Sequence, residues 1–181
     1  MNKIKTTVIM AAVIACALPA MAQRKRVSPH ETISADIDGG KITIVYGRPY
    51  TKNPRSGEPR KIWGELVPYG QAWRTGADEA TLLTITQPIM MGSTTIPAGK
   101  YSLYTLPEQG SAKLIVNKQT GQWGTVYDEK QDLARIDMKE KKLDTPVDQF
   151  TMEIEKSSGG GGVLKLKWAD REYSVPFTVQ K

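Results

Sequence analysis

Short runs of β-branched and aromatic residues, each ended by glycine or proline, constrain the fold of this chain most strongly. Between Lys41 and Tyr46, apolar residues occupy every second position, which is typical of a half-buried β-strand. Asp38-Gly39-Gly40 separates this run from Thr32–Ile37, so the two are predicted to form a β-hairpin. About ten such runs, with no sustained helical period, predict an all-β fold.

The other runs follow the hairpin and are separated by turn residues. Strands are predicted at 81–86, 89–91, 94–96, 100–106, 112–116, 135–138, 150–156, 163–168 and 173–179, with one helical turn at 128–133. Ala169-Asp170 is predicted to form the last tight turn, and Ser157–Gly162 a flexible hairpin loop. We therefore predict a single antiparallel β-sandwich with at most one short helix; a jelly-roll-like or barrel-like arrangement is the alternative.

Residues 1–22 have the three parts of a secretory signal peptide. Two lysines are followed by an apolar stretch from Thr6 to Leu18 and by the small-x-small pattern Ala20-Met21-Ala22. We expect export, cleavage before Gln23, and one β-sandwich domain over residues 23–181 in the periplasm or secreted. No later segment approaches the roughly 18 apolar residues of a transmembrane helix.

Val13-Ile14-Ala15-Cys16 also resembles a loose lipobox, in which a lipidated cysteine becomes the mature N-terminus. We favour the signal peptide, because apolar residues continue past Cys16 and a good cleavage pattern follows. Cys16 is the only cysteine, so its removal leaves neither a disulfide nor a thiolate metal ligand. A lipid anchor at Cys16 is the alternative.

The charge of the chain is mildly basic, with 25 Lys and Arg against 19 Asp and Glu and a net charge of +6. Loss of residues 1–22 would remove two lysines and no acids, leaving 23 cations against 19 acids and a net charge of +4. The cations are spread along the chain, apart from Arg24–Arg26 and Lys139–Lys142. A nucleic-acid surface would be denser and interleaved with aromatic residues, so we expect no nucleic-acid partner.

His30 is the only histidine, and we interpret it as an ordinary surface residue. One histidine without a mature cysteine does not assemble the usual zinc or copper sites, so no metal site is predicted. Neither a Gly-x-Ser-x-Gly elbow nor a phosphate-binding glycine loop is present. We therefore expect no cofactor and assign no catalytic residue.

Aromatic, basic and acidic side chains are concentrated in Trp73–Thr81, directly before a predicted strand. Trp123 lies in a later glycine-rich loop, and Arg48 follows the first hairpin. Aromatic faces beside guanidinium and carboxylate groups are the components of a sugar or peptide site. The candidate ligand-binding residues are Arg48, Trp73, Arg74, Asp78, Glu79 and Trp123. In the alternative, Arg74 is part of a closed brace with Asp78, Glu79 or backbone carbonyls.

Asp78-Glu79 and Asp128-Glu129 also offer carboxylates for glycoside cleavage. Neighbouring residues of an extended strand point to opposite faces, so an adjacent pair is not expected to act on one bond. A catalytic pair would have to take one carboxylate from each segment.

Four motifs carry a family resemblance: Tyr46–Pro49, Ile62–Gly70, Trp73–Thr81 and Pro97–Tyr104. Together they resemble the domain of unknown function 2911 family, exported proteins mostly of Gram-negative bacteria. The resemblance runs from about Ser28 to the C-terminus, includes Trp123-Gly124 and Tyr127-Asp128, and implies an exported β-rich domain without implying an activity.

Two features depart from that family. Its members usually have Asn at the position of Asp78, which puts in doubt any role that needs a neutral amide there. The loop Thr51–Pro59 is longer than the usual link and could alter access to a cleft.

We therefore expect a binding or interaction module for a glycan or a cell-envelope component. Arg48 and Arg74 would hold anionic or hydroxyl groups, Trp73 would stack on the ligand, and the carboxylates would accept hydrogen bonds. The alternatives are a carboxylate-dependent hydrolase acting on a glycan and a purely structural envelope protein.

Overall fold

The computed structural model describes residues 26–180, so the predicted signal peptide and Cys16 lie outside the described residues. Nine strands and one 3-10 turn follow one another in chain order: β1 His30–Ile37, β2 Gly40–Gly47, β3 Thr81–Ile85, β4 Ile89–Met91, β5 Thr94–Ile96, β6 Gly99–Glu108, β7 Ser111–Asn117, the 3-10 turn Glu129–Gln131, β8 Asp132–Lys156 and β9 Gly162–Val179. Within this range no helix has the length and apolar character needed to cross a membrane.

All nine strands belong to one hydrogen-bonded sheet with the order β1-β2-β3-β6-β7-β8-β9-β4-β5. Each neighbouring pair is antiparallel. Between residues 26 and 180, β1 and β5 do not pair with each other, so the sheet is not closed. The predicted all-β antiparallel class is confirmed, with a 3-10 turn as the only helical element of this range. The pairing by itself does not define a sandwich.

The β1–β2 hairpin forms at the predicted turn. Asp38 and Gly39 have φ angles of 49° and 86°, a left-handed conformation that Asp and Gly adopt readily in two-residue hairpin loops. On β2, Ile42 and Ile44 are buried while Lys41 is exposed. The alternation read from the sequence therefore places one face of this strand in the core.

The strand β8 is longer than predicted. The sequence predicts two strands here, but residues 132–156 form one, because the polar run between them continues the pairing. β8 pairs with β7 up to Met138 and with β9 from Lys139 onward. Exchanging one partner for the other lets a single strand connect the two ends of the sheet.

The predicted turn at Ala169-Asp170 is wrong. Ala169 lies inside β9, opposite Val147, where the β8–β9 register shifts on both sides. Its φ of 50° produces a local irregularity in the strand instead of a chain reversal.

An aromatic cluster lies at the centre of the hydrophobic core. Trp168, which is 1% exposed, stacks on Trp73 with ring centroids 5.6 Å apart and planes 17° apart. The edges of Phe150 and Trp63 pack against both rings. Each such aromatic pair stabilises the fold by about 0.5–1.5 kcal/mol, in addition to the stabilisation from burying its apolar surface. The cluster fixes the irregular segment between β2 and β3 against β8 and β9.

The glycine run between β8 and β9 is bound to the first hairpin. The Gly161 N–H donates to Asp38 Oδ2 at 2.5 Å, and the Gly161 carbonyl accepts from the Ser157 N–H at 3.0 Å. A Cβ added at Gly161 would lie 2.1 Å from the carbonyl oxygen of Phe177. The hairpin loop predicted here is therefore tightly packed at its end.

We expect Gly161→Ala to lower the free energy of unfolding by about 3 kcal/mol or more, because the added methyl group meets backbone. Gly160→Ala is the matched control: its φ of 93° is also left-handed, but nothing lies closer than 3.5 Å to an added Cβ. That variant should lose about 1–2 kcal/mol. Urea denaturation measures both; equal losses would contradict the packing described here.

Candidate functional site

A cleft of about 490 Å³ opens beside the Trp73–Thr81 segment. This volume lies within the roughly 300–1,000 Å³ of sites for small ligands. Its walls come from the start of the described chain, the loop after β2, the Trp73–Asp78 segment and the loop at Gly124–Tyr127. The charged and aromatic residues that line it are Tyr50, Arg55, Arg60, Trp73, Arg74, Asp78, Tyr127 and Trp168.

The backbone on both sides of Arg74 is fixed by hydrogen bonds. Trp73 and Thr105 exchange N–H···O bonds of 2.8 and 2.9 Å. The hydroxyl of the fully buried Thr75 lies 2.7 Å from that of Thr105, and the Thr81 hydroxyl donates to the Thr75 carbonyl at 2.7 Å. These contacts hold the residue that follows Trp73 at the cleft wall.

Arg74 lines the cleft and, of the partners named for the alternative brace, holds a backbone carbonyl but not Asp78 or Glu79. Its Nε donates to the Gly76 carbonyl at 3.2 Å. Within the described range, no carboxylate lies within ion-pair distance of Arg74. The stem of Arg74 lies directly on Gly124, where an added Cβ would be 2.5 Å from Arg74 Cδ. Glycine at this position therefore allows the guanidinium to reach the cleft.

Arg55 and Arg60 also line the cleft, although neither was among the candidate ligand-binding residues predicted from the sequence. Arg60 donates from Nη2 to the Tyr50 carbonyl, and its buried Nε has no hydrogen-bond partner among the described residues. Burial lowers the pKa of Arg60. Four cations in one polar loop were the available signal, but the sequence does not show that the loop borders the cleft.

The three cleft arginines differ from the other arginines of residues 26–180. Arg55, Arg60 and Arg74 have no carboxylate within 4.0 Å in that part of the chain. Each of the remaining four lies within this distance of a carboxylate: Arg26, Arg48, Arg135 and Arg171. The described arginines that have no carboxylate partner therefore all line the same cleft.

Arg48 lies away from this cleft. Its Nε donates to the Phe150 carbonyl at 3.1 Å and its Nη2 to Thr151 Oγ1 at 2.8 Å. Its Nη1 lies 3.2 Å from Glu31 Oε2. Through these contacts the Arg48 side chain connects β1 with β8. Arg48 therefore does not lie beside Arg74 in the cleft.

Trp73 and Trp123 contribute to the cleft in different ways. One face of the half-buried Trp73 is covered by Trp168, so only part of its ring is left for a ligand. Trp123 is 50% exposed and does not line the cleft, but the next two residues do. The backbone of Trp123 is bridged to Glu79.

Asp78 and Glu79 both approach His30, a contact that was not predicted from the sequence. His30 Nε2 lies 3.3 Å from Asp78 Oδ2 and 3.4 Å from Glu79 Oε2. The backbone at Asp78 has a φ of 66°, so these neighbours do not follow the alternation of an extended strand. Asp and Asn tolerate this left-handed conformation better than most residues.

Arg26 completes this cluster. Its Nη2 donates to Glu79 Oε1 at 2.7 Å, and its Nη1 contacts Glu79 Oε2. The hydrogen bonds from Arg26 lower the pKa of Glu79 to about 2. The carboxylates of the Trp73–Thr81 segment are therefore paired with Arg26 and His30 and not with Arg74.

The second carboxylate segment takes no part in the cleft. Asp128 accepts a hydrogen bond from the Lys130 N–H at 3.0 Å and caps the 3-10 turn. Glu129 lies 3.6 Å from Arg135. Neither residue lines the cleft, where Asp78 is the only carboxylate among the described residues.

Comparison with known proteins identifies one match. A family model described as "Protein of unknown function (DUF2911)" matches residues 28–177, which is most of the chain. Nothing among the curated proteins or the solved structures matches the chain.

We expect Arg26→Ala to raise the pKa of Glu79 from about 2 toward the ordinary value of about 4.3. The reason is that the variant removes the hydrogen bonds that favour the ionised carboxylate. A ¹³C NMR titration of the carboxyl group measures the change. Arg135→Ala, which removes a paired arginine elsewhere, should leave Glu79 unchanged.

The same pair makes stability depend on pH. Because the folded pKa of Glu79 lies below its unfolded value, the contribution is full above about pH 4.3 and is lost as the pH falls through about 2. An unaltered Glu79 titration in Arg26→Ala would contradict the pairing.

Proposed function

We propose that this chain, which belongs to the DUF2911 family of proteins of unknown function, is an exported binding module for an anionic glycan or another anionic cell-envelope component. The supporting observation is the cleft in which Arg55, Arg60 and Arg74 lack carboxylate partners within residues 26–180. A partly buried cation is costly unless an anion or hydrogen bonds compensate it. A ligand that supplies carboxylate or phosphate groups would provide that compensation.

Arginine suits this role better than lysine would. The planar guanidinium donates two parallel hydrogen bonds to a carboxylate or phosphate. Arg60 retains an unpartnered Nε, and Arg74 uses only its Nε within the described residues. Both therefore keep donor capacity for a bound anion.

The aromatic residues of the cleft would contact the uncharged part of the ligand. Tyr50, Tyr127 and the open part of Trp73 line the same space as the arginines. Aromatic rings beside a few polar groups are common in sites that bind the apolar face of a sugar. Trp123, exposed beside the cleft, would extend this surface for a longer ligand.

The two alternative functions have less support. A hydrolase with one carboxylate from each segment would need Asp128 or Glu129 beside Asp78, but neither lines the cleft. A purely structural role accounts for Arg48 and for the Arg26–Glu79 pair, which are closed contacts. A structural role gives no reason why the three cleft arginines lack carboxylate partners among the described residues.

We also propose that the sheet folds over on itself as a β-sandwich. β1, at one end of the strand order, and β5, at the other, both contact β8. Residues from these distant strands, Ile37 and Ile96 among them, belong to one core cluster. This arrangement would bring the loops that line the cleft to the same end of the sandwich.

A glycan and peptidoglycan-fragment screen on residues 23–181 tests the proposed function. Ligands that carry carboxylate or phosphate groups should bind, and their amidated or dephosphorylated counterparts should bind at least about tenfold more weakly. Arg74→Gln, which shortens the side chain and removes its charge, should weaken binding of the anionic ligand by about tenfold or more, as measured by isothermal titration calorimetry.

Lys113→Gln is the control, because Lys113 is a cation paired with Asp137 outside the cleft. It should bind like the wild type. Equal affinity of Arg74→Gln and the wild type, or equal binding of charged and neutral ligands, would rule out the proposed site.

A further inference from the structure

The single histidine of the chain meets two carboxylates next to the cleft. His30 Nε2 lies 3.3 Å from Asp78 Oδ2 and 3.4 Å from Glu79 Oε2, and one donor atom from each residue lies within 4.8 Å of the other two. Around a zinc ion with bonds of about 2.0–2.1 Å, tetrahedral ligand atoms are about 3.3–3.4 Å apart. Both measured separations match this spacing.

We propose that His30, Asp78 and Glu79 form a binding site for a first-row divalent metal ion such as Zn²⁺. One imidazole nitrogen and two carboxylate oxygens are donors that such ions accept, whereas Ca²⁺ and Mg²⁺ prefer oxygen alone. No metal site was predicted from the sequence because it has one histidine and one cysteine, too few for the usual zinc or copper sites. The inference rests on this cluster and is independent of the proposed function.

A guanidinium nitrogen already lies among the three donor atoms. Arg26 Nη1 is 2.8 Å from His30 Nε2 and 3.8 Å from Asp78 Oδ2, and it contacts Glu79 Oε2. A guanidinium only donates hydrogen bonds, so the contact with Arg26 requires a His30 Nε2 without a proton, whereas a hydrogen bond to Asp78 Oδ2 requires a protonated Nε2. The form without a proton on Nε2 is the one in which this nitrogen would ligate a metal ion. The Arg26 guanidinium thus lies where a metal ion would bind, and a bound metal ion would displace it.

Backbone pairing holds the metal-donor residues in place without help from Arg26. His30 is opposite Gly47 in the β1–β2 register. A Cβ at Gly47 would lie 2.2 Å from the Ala77 carbonyl oxygen and 3.1 Å from His30 Nε2. Glycine at this position therefore lets the imidazole and the backbone before Asp78 approach each other.

The cluster is also accessible to an ion. The side chains of His30, Asp78 and Glu79 are 24%, 28% and 42% exposed. Arg26 is 43% exposed, so it can leave without disturbing the core. Since Asp78 also lines the cleft, a bound ion would lie at the cleft wall.

Titration of Zn²⁺ into chelator-stripped protein beginning at Gln23, followed by calorimetry, tests the site. We expect one Zn²⁺ ion per chain in the wild type. The affinity for Mn²⁺ should not exceed the affinity for Zn²⁺. Arg26→Ala should bind Zn²⁺ at least about tenfold more tightly, because the competing cation is gone. A purely structural role for the cluster would not produce this gain.

Loss of a ligand should have the opposite effect. Glu79→Gln and His30→Gln should each weaken Zn²⁺ binding by about tenfold or more. Asp137→Asn, which removes a carboxylate that is 86% exposed and paired with Lys113, should not change it. The visible absorption of bound Co²⁺ gives a second readout of four-coordinate geometry in the wild type and Arg26→Ala.

Two results would overturn the proposal: no Zn²⁺ binding at millimolar concentration by either the wild type or Arg26→Ala, or equal affinity of Glu79→Gln and the wild type. Circular dichroism checks that each variant is folded. If His30→Gln does not fold, Arg26→Ala and Glu79→Gln, which change partly exposed side chains, decide the outcome. Either result leaves the test of the anion-binding cleft unaffected.

Discussion

The stacking of Trp73 on Trp168 determines where the candidate site lies. Trp168 belongs to β9 and is almost fully buried, whereas Trp73 belongs to a segment without regular structure. Their contact, with the edge of Phe150, attaches that segment to the core. The residue after Trp73 is Arg74, so a core contact positions a surface cation. Rigid support of this kind keeps a binding group in place before the ligand arrives.

Much of the sheet was predictable from local pattern. Alternation along β2 and the Asp38-Gly39 turn identified the first hairpin, and β4 and β5 were found with their ends. The pattern failed along β8 and β9, where the polar middle of each strand has no buried face to mark it. There the pairing of two long strands with each other, which depends on distant residues, overrode the local signal.

The sequence predicted which of the candidate residues lie near one another only in part, and it did not predict their pairing. Trp73, Arg74 and Asp78 do meet in one cleft, whereas Arg48 is held between β1 and β8. Arg26 pairs with Glu79 across 53 positions of sequence, a separation that no motif reveals. Because Arg26 and His30 pair with both carboxylates, Arg74 has no carboxylate partner among the described residues. The two carboxylates are therefore held in closed pairs, whereas the cleft arginines hold backbone carbonyls at most and have no carboxylate partner among the described residues.

The central claim is that Arg55, Arg60 and Arg74 form an anion site in a fixed cleft. The most direct measurement is an anomalous difference map from a crystal of residues 23–181 soaked in bromide. We predict a strong bromide peak in contact with Arg74 and Arg60, and none at the paired guanidinium of Arg48. A cleft without bromide, or an Arg74 guanidinium closed onto Asp78 or Glu79, would contradict the claim.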